Sequence, residues 1–186
     1  MADLEHIIEG CIRMDRKAQK MLYDKYAATF LGICVRYASH RAEAEDVLQD
    51  AFVKVFLNIR QYNRTGSFEG WMKRIIINTA ISNYRANLKH YYHLDIDDIK
   101  KSEVDENTIE TAEFSKEELL KVINSLPDGF RLIFNLYAIE GYKHKEIAEI
   151  LDIDIGTSKS QYSRAKALIQ KKLAELSKTK LQLEHE

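Results

Sequence analysis

The side chains best suited to chemistry lie late in the chain. A 100° wheel begun at Thr157 gathers Lys159, Ser160, Ser163, Lys166, Gln170 and Lys171 on one side and Tyr162, Ala165 and Ile169 on the other, with Arg164 at the border. The outer side holds no acid. Ammonium, guanidinium and hydroxyl donors at this density suit phosphate oxygens and base edges, which is the non-covalent chemistry of nucleic-acid binding. Thr157 is expected to cap the helix, leaving the amides of Thr157 to Lys159 as a further phosphate site. A plain solvated basic face is the alternative, and the preceding residues weigh against it. Ile147, Ala148 and Leu151 give a helix over residues 145–151 a buried face, and Ala148 is small enough for a close crossing. Asp152-Ile153-Asp154-Ile155-Gly156 reads as the turn between the two helices. Such a helix-turn-helix lays its second helix in the major groove of duplex DNA.

A second constellation falls on a helix expected over residues 41–61. Leu48, Ala51, Phe52, Val55, Phe56 and Ile59 recur at helical spacing and must face a core. With that stripe inward, Asp46, Gln49, Asp50, Val53 and Leu57 share the outer face. Apolar side chains beside carboxylates suit a protein partner; a solvated face with stray apolar residues is the alternative. A third group surrounds the polar turn at residues 62–67 and the helix that follows it over residues 68–88. An aromatic and polar loop beside a helix can hold one unstacked base. Asn78 offers a base edge both a donor and an acceptor, and Asn83 lies about one turn further on. Trp71 reads as core rather than as a stacking platform.

Positioning these groups is a task for helices. The 186 residues are 45% apolar and 31% charged, with seven Gly and one Pro, too few for a turn-rich sandwich or barrel. Leu4, Ile7, Ile8, Cys11 and Ile12 mark a first helix. Asp15 is placed to cap a second, running to about residue 39 with Ala18, Leu22, Tyr26, Ile33 and Tyr37 among its apolar positions. The helix after the polar turn is apolar nearly all round, at Trp71, Met72, Ile75, Ile76, Ile77, Ala80 and Ile81. Residues 93–114 are acidic and show no sustained apolar period, so they read as a flexible linker. Ser115-Lys116-Glu117-Glu118 is a capping box before Leu119, Ile123 and Leu126, and Pro127 ends that helix. The next helix is expected over residues 128–140, with Ile133, Phe134 and Tyr137 inward and Gly141 as its C-cap. The last runs from 157 to about 177. The expected fold is therefore all-α: two small helical bundles, residues 1–92 and 115–186, joined by the acidic linker 93–114, with the second bundle ending in the helix-turn-helix.

The net charge of −1 conceals segregation. Residues 1–90 hold 14 basic and 10 acidic side chains, a net of +4, whereas residues 91–120 hold 3 and 10, a net of −7. Residues 156–180 hold 7 and 1, a net of +6, and such local clusters govern phosphate binding more than the whole-chain pI does. No apolar run is long enough to span a membrane, and the N-terminus lacks the pattern of a signal peptide, so the cytosol is the expected compartment. Cys11 and Cys34 fall on apolar stripes and are expected as buried free thiols. His90, Tyr91, Tyr92 and His93 cluster without a second ligand set, and no G-x-S-x-G, H-E-x-x-H or P-loop occurs, so no enzyme, metal or cofactor is expected.

The stretches Tyr142-Lys143-His144-Lys145-Glu146-Ile147-Ala148-Glu149-Ile150-Leu151, Gly156-Thr157-Ser158-Lys159-Ser160 and Arg164-Ala165-Lys166-Ala167-Leu168 resemble the σ4 helix-turn-helix of extracytoplasmic-function (ECF) sigma factors. Ser158 and Gln161 depart from it, standing where the family often has Val and Arg. Asp46 to Phe56 resembles the family's segment that grips the clamp of the largest polymerase subunit, and Phe68 to Ala80 resembles its segment for the −10 element. The resemblance covers about residues 12–90 and 115–176. It implies a transcription initiation factor that binds core RNA polymerase, directs it to specific promoters and promotes DNA melting. Polymerase contact would fall to Asp46, Gln49, Asp50, Val53 and Leu57. The −10 element would fall to Arg60, Asn63, Arg64, Lys73, Arg74, Asn78, Asn83 and Arg85. The −35 element would fall to Thr157, Lys159, Ser160, Ser163, Arg164, Lys166 and Lys171. It also implies an anti-sigma partner. The rival reading is a stand-alone helix-turn-helix regulator that binds palindromic duplex without polymerase.

Overall fold

The computed structural model describes residues 2–91 and 114–183, so the linker expected at residues 93–114 lies outside the described residues except for Phe114. Among the described residues the regular structure is helical, with no strand. The chain divides into two compact units, Met1–Asn87 and Leu88–Glu186.

The first unit holds α1 (Ala2–Ile12), α2 (Arg16–Tyr37), α3 (Arg41–Asn58), a 3-10 turn (Ile59–Gln61) and, up to Asn87, α4 (Phe68–Tyr91). Asp15 caps α2, its carboxylate accepting from Lys17 N at 2.7 Å. The chain reverses there through Met14 at φ 60. Gly10 has no room for a side chain, since a Cβ would stand 2.5 Å from that of Ala18, so α1 and α2 cross at close range. His40 and Glu43 open α3: His40 Nδ1 accepts from Glu43 N at 3.1 Å, and Glu43 Oε2 accepts from Ser39 N at 2.7 Å. The inward stripe of α3, Val47, Leu48, Ala51, Phe52 and Val55, is buried, as are Leu22, Phe30 and Cys34 of α2 and Met72, Ile76 and Ile77 of α4, and Phe52 meets Phe30 with ring centroids 6.3 Å apart. Each Val, Leu, Ile, Phe or Met among them contributes about 1.5–3 kcal/mol by leaving water. Helix α4 is less uniformly greasy than its sequence suggests. Trp71 and Ile75 are half-buried, and Arg74, Asn78, Ser82 and Arg85 form an exposed polar stripe.

The second unit holds α5 (Lys116–Asn124), α6 (Asp128–Phe134), a π-helical turn (Asn135–Ile139), α7 (His144–Leu151) and α8 (Ile155–Leu183). The Ser115–Glu118 capping box forms in both directions. Three expectations need correction. Helix α5 stops at Asn124 with Ser125 as its C-cap, and Pro127 instead stands at the N-cap of α6. Tyr137 is 38% exposed rather than inward, because the wider π turn rotates the side chains after Phe134 off the 3.6-residue register; Asn135 and Leu136 are buried in its place. Phe114, assigned to the linker, is buried against Val122 and Leu173, with Lys180 Nζ 5.1 Å above its ring. Helix α8 runs on to Leu183 because Leu173 and Leu176 keep packing on this cluster and Lys180 pairs with Glu118 at 2.8 Å.

Candidate functional surfaces

The core stripe of α3 fixes what the helix shows to solvent. Asp46, Gln49 and Asp50 are all exposed, and Val53 (55%) and Leu57 (71%) are among the most exposed large apolar side chains described. The five residues inferred from the wheel thus lie on one open face. Lys54, beside them, turns away and donates to Thr79 Oγ1 of α4 at 3.2 Å.

Residues 60–67 form a loop held by its own side chains and by α1. Tyr62 donates its hydroxyl to Gly66 O at 2.6 Å, and Asn63 Oδ1 accepts from Thr65 N at 3.1 Å and Thr65 Oγ1 at 2.7 Å. Tyr62, Phe68 and Trp71 form an aromatic group, with Trp71 stacked on Phe68 at 5.5 Å. Trp71 is half-buried and combines packing with a partly open ring. Arg60 donates to Ile12 O at 3.3 Å, and Arg64, at φ 62, pairs with Glu5 at 2.8 Å, so both cations are steered by α1. Arg74, Asn78 and Arg85 are exposed along α4, and Lys73 is half-buried. Asn83 does not join them in an open pocket. Its amide donates to Glu43 Oε1 at 2.9 Å and ties α4 to the start of α3. Sequence spacing carries no sign of that pairing, which spans 40 residues.

In the second unit α7 buries Ile147 and Ala148, and the fully buried Ala165 of α8 packs with Leu126 and Phe130. Lys143 N donates to Glu146 Oε2 at 2.7 Å at the start of α7. The turn is shorter than expected. Asp152 takes the left-handed conformation at φ 56 and ψ 52, and α8 begins at Ile155, not at Thr157. Ser158 N already bonds Asp154 O at 3.0 Å, so Thr157 is inside the first turn and is not the cap. The unbonded amides are therefore those of residues 155–157 rather than 157–159. Exposed Asp152 and Asp154 stand beside that end, so attraction for a polyanion rests on the lysines. Lys159, Ser160, Ser163, Lys166 and Lys171 are exposed along α8, while Thr157, Arg164 and Gln170 are half-buried.

Burial raises the Cys11 thiol to about 11, with Asp15 adding to the effect, and raises Cys34 to about 12. Both are inert free thiols at neutral pH. Among the described residues no helix is long and apolar enough to cross a membrane, and no cluster of His, Cys, Asp and Glu could hold a metal.

The model for Sigma-70 region 2 matches residues 22–89 and that for Sigma-70 region 4 matches residues 116–169. The chain is 29% identical over 180 residues to the ECF RNA polymerase sigma-E factor of Haemophilus influenzae, covering 91% of this chain and 95% of the relative. It is 28% identical over 174 residues to the ECF RNA polymerase sigma factor SigW of Bacillus subtilis, covering 87% and 92%. The fold is similar to that of the sigma factor RpoE solved with the anti-sigma factor NepR from Bartonella quintana, at a TM-score of 0.50 and 22% identity over 83% of this chain and 96% of the other. With both regions present in order and relatives aligned along almost their whole length, the chain belongs to the ECF group of RNA polymerase sigma factors.

Proposed function

We propose that this sigma factor fastens to core RNA polymerase through the outer face of α3, reads the −35 duplex with α8, and takes the unwound −10 strand between the loop 60–67 and α4. Asp46, Gln49, Asp50, Val53 and Leu57 form the polymerase surface. Lys159, Ser160, Ser163, Lys166 and Lys171 meet the −35 major groove, with Thr157 and Arg164 at its edge. Arg60, Asn63, Arg64, Lys73, Arg74 and Arg85 hold the −10 strand by its phosphates, and Asn78 meets a base edge. Asn83 serves that site by anchoring α4 to Glu43. One captured base contributes about 1–3 kcal/mol by stacking, which offsets part of the cost of unpairing. Binding and melting need no covalent step, so the chain acts as an initiation factor and not as an enzyme, in the cytoplasm with the polymerase. An anti-sigma protein is the expected antagonist.

The observation that carries this reading is the exposure of Val53 and Leu57 beside Asp46 and Asp50. Apolar side chains exposed beside carboxylates suit a protein partner and not DNA. The test is run-off transcription of genomic DNA with purified core polymerase. Discrete start sites that appear only when the chain is added are expected. Specific retardation of a palindromic duplex by the chain alone, with no start sites, would favour the stand-alone regulator.

A further inference from the structure

The helix-turn-helix contains a polar cluster apart from the exposed lysines and serines of α8. Ser158, the fourth residue of α8, is fully buried, and a buried hydroxyl requires a partner. It meets His144, the first residue of α7: Ser158 Oγ and His144 Nδ1 lie 2.9 Å apart. With the ring proton on Nε2 the hydroxyl donates to Nδ1; with the proton on Nδ1 the ring donates to Oγ, so both neutral tautomers keep the bond. The imidazole is fixed on its faces as well. Tyr137 of the π turn stacks on it at 4.2 Å and 15°, and Tyr162 of α8 meets it edge-on at 5.8 Å. Tyr137 and Tyr162 are themselves 4.5 Å apart. Around this bond lie the buried Ile147 and Ala148 of α7, whose hydrophobic driving force is itself non-directional. A hydrogen bond, by contrast, has a required distance and direction.

We propose that the His144–Ser158 bond is a positioning contact that sets the rotation of α8 against α7, and so the direction in which Lys159, Ser160 and Ser163 approach base edges. The inference rests on α8 being the promoter-reading helix. Base-edge contacts demand geometry, whereas attraction to phosphates is long-ranged, so loosening this bond should lower sequence discrimination and spare non-specific binding.

Ser158→Thr and Ser158→Val are isosteric and differ by the hydroxyl, so any steric cost is common to both. Holoenzyme containing each is titrated with a promoter duplex mapped by run-off transcription and with the same duplex scrambled at its upstream element. The Thr variant is expected to keep the wild-type ratio of the two affinities. The Val variant should lower that ratio about three- to tenfold, the range of one net hydrogen bond. Affinity for the scrambled duplex and for core polymerase should be equal in the two. His144→Phe, which keeps a ring but not the bond, should lower the ratio similarly and add nothing to Ser158→Val. Equal ratios for Thr and Val, or additive losses, overturn the positioning role while leaving α8 as a reader. A wild-type holoenzyme blind to the scrambling overturns both.

Discussion

Helices α3 and α8 solve the same problem inward and opposite problems outward. Each buries a stripe of apolar side chains, Val47 to Val55 in one and Ala165 to Leu173 in the other, and these stripes could be exchanged in kind. Their open faces could not. Helix α3 shows two large apolar side chains among carboxylates, and α8 shows lysines and hydroxyls with no acid between residues 157 and 171. The apolar pair of the first face gains by leaving water against a complementary surface, a short-range effect with little salt dependence, while its carboxylates select the charge of that surface. The second attracts a polyanion before contact and loses that attraction as salt rises. Buried periodicity thus builds each helix, and outward chemistry chooses its partner.

The comparison breaks most visibly at α3. Asp46→Lys combined with Asp50→Lys should abolish co-migration with core polymerase, and Val53→Ala with Leu57→Ala should weaken it by about tenfold or more, as central contacts of an interface do. All four side chains are exposed, so thermal unfolding should move by no more than about 0.5 kcal/mol. Undiminished complex formation by the double-lysine variant would reduce this face to ordinary solvated surface. A smaller effect is expected on α8. Lys166→Ala or Lys171→Ala should weaken binding to any duplex by a similar factor and lower the slope of log affinity against log salt by about 1 each. Polymerase affinity should not change. A loss confined to one promoter sequence would mean that the lysine reads a base rather than a phosphate.

What the sequence made legible follows from how locally each feature is determined. The stripes of α2 and α3, the Asp15 cap, the Ser115–Glu118 box and the reversal at Gly141 (φ 78) depend on residues within one or two turns, and spacing alone reveals them. The start of α8 was less legible. Ile155 and Gly156 look like turn residues because Gly is a poor helix former, yet the left-handed Asp152 completes the reversal in fewer residues. The π turn at Asn135 leaves no mark on apolar spacing and misplaces Tyr137. The remaining misses are long-range. Phe114 is held by Leu173 and Lys180, Asn83 by Glu43, and Ser158 by His144, and no window of neighbours contains those partners. At the candidate surfaces, exposure along α3 and α8 was legible from the wheels. The tethering of Arg60 and Arg64 to α1 was not.

The smallest expected effect separates the two helices by pH. His144 sits at the joint of α7 and α8, and its pKa is lowered from the ordinary 6.5 by burial and by the nearby Lys159. The rings that face it are those of Tyr137 and Tyr162, and burial raises the Tyr162 phenol above its ordinary value. Between the lowered value and 6.5 the unfolded chain therefore binds more protons than the folded one. Stability is then intact above 6.5 and falls as the pH drops through the lowered value of His144. Urea unfolding of the full chain at pH 7.5 and pH 5.5, compared with His144→Gln, isolates this group from the other histidines. The wild type should lose slightly more stability on acidification than the Gln variant, and the difference should report on the second unit and leave polymerase binding through α3 unchanged. Equal losses would mean that the imidazole feels neither burial nor Lys159, and that the joint of the helix-turn-helix is as open to water as the face it supports.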